Sequence, residues 1–247
     1  MTKLSVNLNK LALLRNSRGR NYPDLLDFAT RFIKLGVTGI TVHPRPDERH
    51  VTRRDVYELA GLLGDYPDVE FNVEGYPSPA FMELIQDTRP DQCTLVPDSA
   101  EQLTSDHGWD CHRHREELRP VLDKLRSLGI RSSLFLEPST EQAKLAIAAG
   151  ADRIELYTEH YARAFHTPSV ADELTRYRET AELATALGLG VNAGHDLDLQ
   201  NLPTFLGIPG ILEVSIGHAL MIECIDQGLE TVIGRYLAIC KNPLNYI

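Results

Sequence analysis

Short apolar runs alternate with longer amphipathic ones along almost the whole chain. Strands are predicted at Leu4–Asn7, Gly39–Val42, Glu70–Val73, Gln92–Val96, Ser132–Leu136, Arg153–Tyr157, Gly190–Asn192 and Glu213–Ile216. Helical periodicity follows each of them, over Pro23–Leu35, Arg53–Gly64, Pro79–Thr88, Cys111–Leu128, Glu141–Ala149, Val170–Leu187, Leu199–Phe205 and Ala219–Ile239. The helix boundaries carry their own chemistry. Thr52-x-x-Asp55, Ser169-x-x-Asp172 and Ser139-x-x-Gln142 resemble capping boxes, and Ser78 precedes a proline suited to a first helical turn. Gly36, Gly129, Gly150 and Gly188 stand where helices must stop before the next strand. Strands alternating with helices make a parallel sheet, and eight such units close a (β/α)8 TIM barrel over residues 1–247 as one domain. The rival, a doubly wound open sheet, lacks a G-x-G-x-x-G after its first strand.

The chain has 247 residues, 43% of them hydrophobic, which suits a folded globular protein. Its 25 basic against 35 acidic residues leave a formal charge of −10, which argues against nucleic-acid binding, so any anionic ligand needs a local basic cluster. Cys93, Cys111, Cys224 and Cys240 form no C-x-x-C pair and read as free thiols. No secretory leader or membrane span is predicted, and a cytoplasmic protein is expected.

In a barrel, chemistry collects where strands end. Those positions carry Asn7 and Asn9, His43, Glu74, Glu137, Glu155, His195, and Gly217-His218, of which three histidines and three carboxylates are titratable. The loop from His43 to His50 adds Arg45 and Arg49, whose planar forks suit phosphate, although a solvated salt-bridged loop would have the same composition. Glu74 leaves an apolar strand, where desolvation would make it a base or a neighbouring arginine would make it a structural partner. His195 sits on a glycine turn, and Gly217 opens a helix whose amides suit an anion. Arg15 and Arg18 would be either surface charges or covers for such a ligand. Cys111-His112-Arg113-His114 is not a metal site, because its histidines point to different helix faces.

Taken together these residues resemble the pyridoxine 5′-phosphate synthase family, which closes the pyridine ring of vitamin B6. The resemblance runs nearly end to end, through Val6-Asn7, Leu14 to Gly19, Tyr22-Pro23-Asp24 and Gly39 to His50. It continues through Phe71 to Gly75, Leu95 to Asp98, Arg153 to Tyr157, Val191 to His195 and Ile216 to Ala219. It implies an octameric barrel that uses no metal or cofactor and condenses two phosphorylated small molecules. It also implies that His43 and Glu74 accept protons, His195 donates one, and Glu155 stabilises developing charge. Arg45, His50 and Thr104 match contacts to 1-deoxy-D-xylulose 5-phosphate; Asn7, Arg18, Gly217 and His218 match contacts to 3-amino-2-oxopropyl phosphate. Three features depart from the family pattern. Asn9-Lys10 replaces Asp-His at a position that helps hold the deoxyxylulose phosphate. Asp196 replaces a glycine at a contact to the second substrate. The run Leu220-Met221-Ile222-Glu223-Cys224 lacks the expected small and basic residues. Other phosphosugar-handling barrel enzymes, and a non-catalytic barrel that binds a phosphorylated metabolite, are the alternative readings.

Overall fold

The computed structural model describes residues 1–98 and 105–247. Eight parallel strands close into a barrel in chain order: β1 (Lys3–Asn7), β2 (Gly39–Val42), β3 (Glu70–Gly75), β4 (Gln92–Leu95), β5 (Arg131–Leu136), β6 (Arg153–Tyr157), β7 (Gly190–Gly194) and β8 (Ile211–Ile216). Closure is direct, since β8 pairs with β1 in parallel, Leu4 opposite Val214 and Val6 opposite Ile216. The open-sheet alternative is thereby excluded.

The strands largely alternate, and the alternation separates two kinds of interior. Leu4, Val6, Ile40, Val42, Val73, Leu134, Ile154, Val191 and Val214 are buried toward the surrounding helices, against Ala29, Phe32, Leu59, Ile85, Leu122 and Ala181. The other set is polar. Ser5 and Thr41 hydroxyls meet at 2.7 Å, Thr94 donates to Asn72 Oδ1 at 3.0 Å, and Asn192 Nδ2 donates to Gln92 Oε1 at 3.2 Å. Hydrogen bonding among themselves is what lets these groups stay out of water. Nearer the strand starts the barrel is closed by charge: Glu70 takes both Lys3 and Arg131, and Arg153 lies 3.9 Å from Glu213.

The helices are α1 (Asn9–Asn16), α2 (Leu25–Lys34), α3 (Arg53–Leu63), α4 (Pro79–Thr88), α5 (Arg115–Ser127), α6 (Thr140–Ala149), α7 (Glu159–Ala164), α8 (Val170–Ala186), α9 (Leu202–Phe205), α10 (His218–Gln227) and α11 (Leu229–Lys241). Thr52 and Asp55 form a reciprocal capping box, and Ser78 and Ser139 accept from the backbone N–H of Phe81 and Gln142. Gly36, Gly129, Gly150 and Gly188 all take positive φ. Three expectations need correcting. Ser169 has helical backbone angles, so its hydroxyl caps nothing and bonds Thr167 instead. The last predicted helix is two, broken at Gly228 with φ +87°, a conformation that cannot continue a right-handed turn. The helices α1 and α7 lie in segments expected as loops. No helix among the described residues is long and apolar enough to cross a membrane.

Candidate active site

The strand ends surround a cavity of about 630 Å³. Asn7 ends β1, and Glu74 and Glu155 stand near the ends of β3 and β6; His43 directly follows β2 and His195 follows β7. Asn9, Lys10, Arg45 and His50 line one side, Asp196, Gly217 and His218 the other. Twelve of the residues singled out in the sequence thus meet around one space. Arg18 does not: it is exposed in the turn after α1, while Arg15 has turned inward. Thr104 lies outside the described residues. A neighbouring cavity of about 650 Å³, reaching Tyr76 and Phe81, shares His43 and Arg45 with the first.

A chain of hydrogen bonds sets the floor of one wall. Asn7 Oδ1 accepts from the Asn9 amide at 3.0 Å, and Asn9 Oδ1 accepts from the His43 amide at 2.9 Å. This gives Asn9 a clear role in shaping the end of β2. The Asn7 amide reaches Glu74 Oε2 at 3.4 Å, and His43 Nδ1 lies 4.0 Å from the same oxygen.

Burial dominates the acid–base properties. Desolvation, with Arg45 adding repulsion, holds His43 down to about 3, so its ring is neutral at ordinary pH. His50 is lowered to about 3 by burial and by His43, Arg45 and Lys10. Burial pushes Glu74 well above the usual carboxylate range, and Glu155, Asp98 and Glu213 push it further. Glu155 rises to about 8, through burial first and then Glu213. Glu155 Oε2 has no hydrogen-bond partner, which leaves an acceptor facing a site rather than a scaffold. Gly194 makes room for that carboxylate, because a Cβ there would collide with Glu155 Oε1.

The cations are partly committed. Arg45 is buried against Asp98 at 2.7 Å, and Arg49 pairs with Asp47 at 2.6 Å. Arg15 forks both oxygens of Asp55 deep under the rim and is structural. Opposite, Gly217 precedes α10 with no side chain capping the helix, and Gly217 and His218 line the cavity where α10 begins. A Cβ at 217 would press Asn7 Cβ at 3.1 Å. Glu137 lies instead beside His160, at 3.3 Å. Among the described residues no group of three or more His, Cys, Asp or Glu is arranged to hold a metal ion.

Sequence reading missed Glu159, Phe135 and Ser105, which line the cavity. Ser215, which opens the run leading to Gly217 and His218, lines it too.

The family described as pyridoxal phosphate biosynthesis protein PdxJ matches residues 4–242. The chain belongs to the PdxJ family. It is 50% identical over 96% of its length, and 98% of the relative's, to a protein of Bacteroides fragilis named pyridoxine 5′-phosphate synthase. A protein of the same name from Xanthomonas campestris pv. campestris is also 50% identical, over 96% of each chain. Among solved structures, KGPDC from Streptococcus mutans superposes with a TM-score of 0.65 over 99% of each chain at 12% identity. At that identity the likeness shows the barrel fold alone, whereas the PdxJ relatives share most of the chain.

Proposed function

We propose that this chain is a pyridoxine 5′-phosphate synthase, condensing 3-amino-2-oxopropyl phosphate with 1-deoxy-D-xylulose 5-phosphate to pyridoxine 5′-phosphate, phosphate and water. Membership of the PdxJ family and the synthases at 50% identity support this reading. The observation that carries it is the convergence of His43, Glu74 and Glu155, buried with shifted proton affinities, on one cavity with anion-suited groups on opposite sides.

Ring closure requires imine formation, enolisation, phosphate loss, water addition and dehydration, and each step moves protons. His43, neutral and buried, is the base nearest the arginine side. Glu74, 4.0 Å away, shares the work as a second acceptor. Burial and neighbouring carboxylates favour the protonated forms of Glu74 and Glu155, and an entering amine or iminium charge favours their ionisation. Glu155 thereby balances positive charge as it develops, and His195 returns a proton to the departing oxygen. Arg45, His50, Asn9, Lys10 and Thr104 take the deoxyxylulose phosphate. Asn7, Gly217, His218 and the backbone at Asp196 take the amino ketone phosphate, with the α10 amides meeting its anion.

The chain works as one barrel domain in the cytoplasm and assembles as a homo-octamer. His43→Asn and Glu74→Gln are each expected to lower turnover by at least about 100-fold, the contribution of a positioned acid–base group. Binding of either phosphorylated substrate, followed by calorimetry, is expected to persist. Undiminished turnover in both variants would remove these assignments.

A further inference from the structure

Two of the departures from the family pattern, Asp196 and the Glu223 region, meet at one loop. The end of β7 turns sharply there, with His195 at φ +79° and Asp196 at φ +51°. Consecutive non-glycine residues in the left-handed region are strained and persist only when the surroundings hold them. The surroundings do so. The Thr158 hydroxyl donates to the carbonyl oxygens of Gly194 and His195, and Asn201 Nδ2 donates to the Asp196 carbonyl at 3.1 Å. Further along, Leu199 N–H donates to Glu223 Oε1 at 3.1 Å, while the Tyr236 hydroxyl donates to Glu223 Oε2. Glu223 therefore braces the loop from α10.

This strained turn sets the Asp196 carboxylate against the His195 ring, with Oδ2 3.0 Å from Nδ1. The other side of the ring is fixed by Tyr157, edge-on at 5.0 Å between centroids. We propose that Asp196 is a positioning residue for proton transfer by His195, holding Nδ1 so that Nε2 is the nitrogen offered to substrate. The proposal rests on the synthase reading and assigns the Asp196 side chain to His195, leaving its backbone to the substrate. In the step it serves, the Nε2–H bond breaks and an O–H bond forms on the departing hydroxyl; the C–O bond breaks as water leaves, while an adjacent C–H proton passes to a base and its electron pair closes the new double bond. The ring becomes neutral and keeps Nδ1–H toward the carboxylate, so the charge pair ends as a hydrogen bond. The His195 contact, aided by His218 from α10 and Arg163 from α7, holds Asp196 below the usual carboxylate range, so it is ionised at neutral pH. Glu155 of β6 reaches the neighbouring Gly194, and beyond Tyr157 stand Glu159, bonded to its hydroxyl, and His160 of α7, edge-on to its ring.

Asp196→Asn and Asp196→Gly are compared with the wild type in steady state across pH, and ring-nitrogen NMR shifts of His195 are read in the unliganded proteins. The expected result is a kcat about 10- to 100-fold lower, part of what a positioned general acid supplies. KM for the amino ketone phosphate stays within about twofold, and the alkaline limb of the kcat profile moves to lower pH, because the imidazolium has lost its counter-charge. The NMR shifts should show the neutral ring moving from the Nδ1–H form toward Nε2–H in both variants. A raised KM with unmoved kcat and limb, or an unchanged tautomer pattern, overturns the proposal and returns Asp196 to substrate contact. Failure of the synthase reading is distinguishable, since the wild type would then form no product while the NMR comparison still reads the pair.

Discussion

The side chains of the cavity owe their chemistry to where the strands put them more than to their type. His43 and Glu155 would be unremarkable in water; burial moves the first to about 3 and the second to about 8. That shift has a thermodynamic consequence. Glu155 is raised in the folded protein from 4.5 to about 8, so its contribution to stability is present below 4.5 and is lost as pH rises to about 8. Glu155→Gln removes the penalty. Its Tm in the unliganded state should exceed that of the wild type at pH 9 by at least about 2–4 °C, the response to one kcal/mol in a chain of this size. At pH 4 no such gain is expected, and an equal gain at both would show that the shift is not electrostatic. Gly194→Ala tests the same carboxylate sterically. The colliding atom is the free end of Glu155, so the fold should survive, with Tm within about 2–4 °C. Turnover should fall by about 10-fold or more as the carboxylate is pushed aside. Strand-end positions made His43, Glu74, Glu155 and His195 readable from sequence, because alternation and the barrel rule place them without any knowledge of partners. The fate of Arg15 was not readable: its partner Asp55 lies 40 residues away and meets it only after α3 packs.

Among the elements, the local signals worked where the chemistry is local. Thr52 with Asp55, Ser78 and Ser139 cap as their spacing implies, because the partners lie within one turn. Ser169 failed for a related reason: its neighbour Thr167 offered a hydroxyl at 2.7 Å, and the backbone entered the helix early. The helix α1 escaped prediction because its apolar pattern is short, with Leu11 and Ala12 buried but Leu13 and Leu14 exposed. What fixes α1 is tertiary. The Arg15 fork on Asp55 ties it to the capping box of α3, and both side chains are about nine-tenths buried. Arg15→Ala leaves that carboxylate without its cation, and a loss of about 3–5 kcal/mol follows for breaking one partner of a buried pair. Urea denaturation checks it; a loss below about 1 kcal/mol, the worth of a surface pair, would contradict a buried role.

At the scale of the whole molecule, the barrel was legible because eight strand-helix units recur with almost no interruption, and closure of β8 on β1 adds no chemistry of its own. The polar barrel interior was not stated by any single strand. It emerges only when Ser5, Thr41, Asn72, Gln92 and Asn192 face one another across the closed sheet. The same closure brings Glu74, Glu155 and Glu213 close enough to repel, which no spacing along the chain reveals. Sedimentation of the purified chain should find eight copies together; a monomer at micromolar concentration would contradict the proposed octamer. The central claim is met most directly by supplying both phosphorylated substrates to the purified protein and following pyridoxine 5′-phosphate by mass. The account predicts product at an enzymatic rate, with one phosphate released per ring formed, and loss of that rate in Glu74→Gln. Tight binding of both substrates with no ring closed would contradict it.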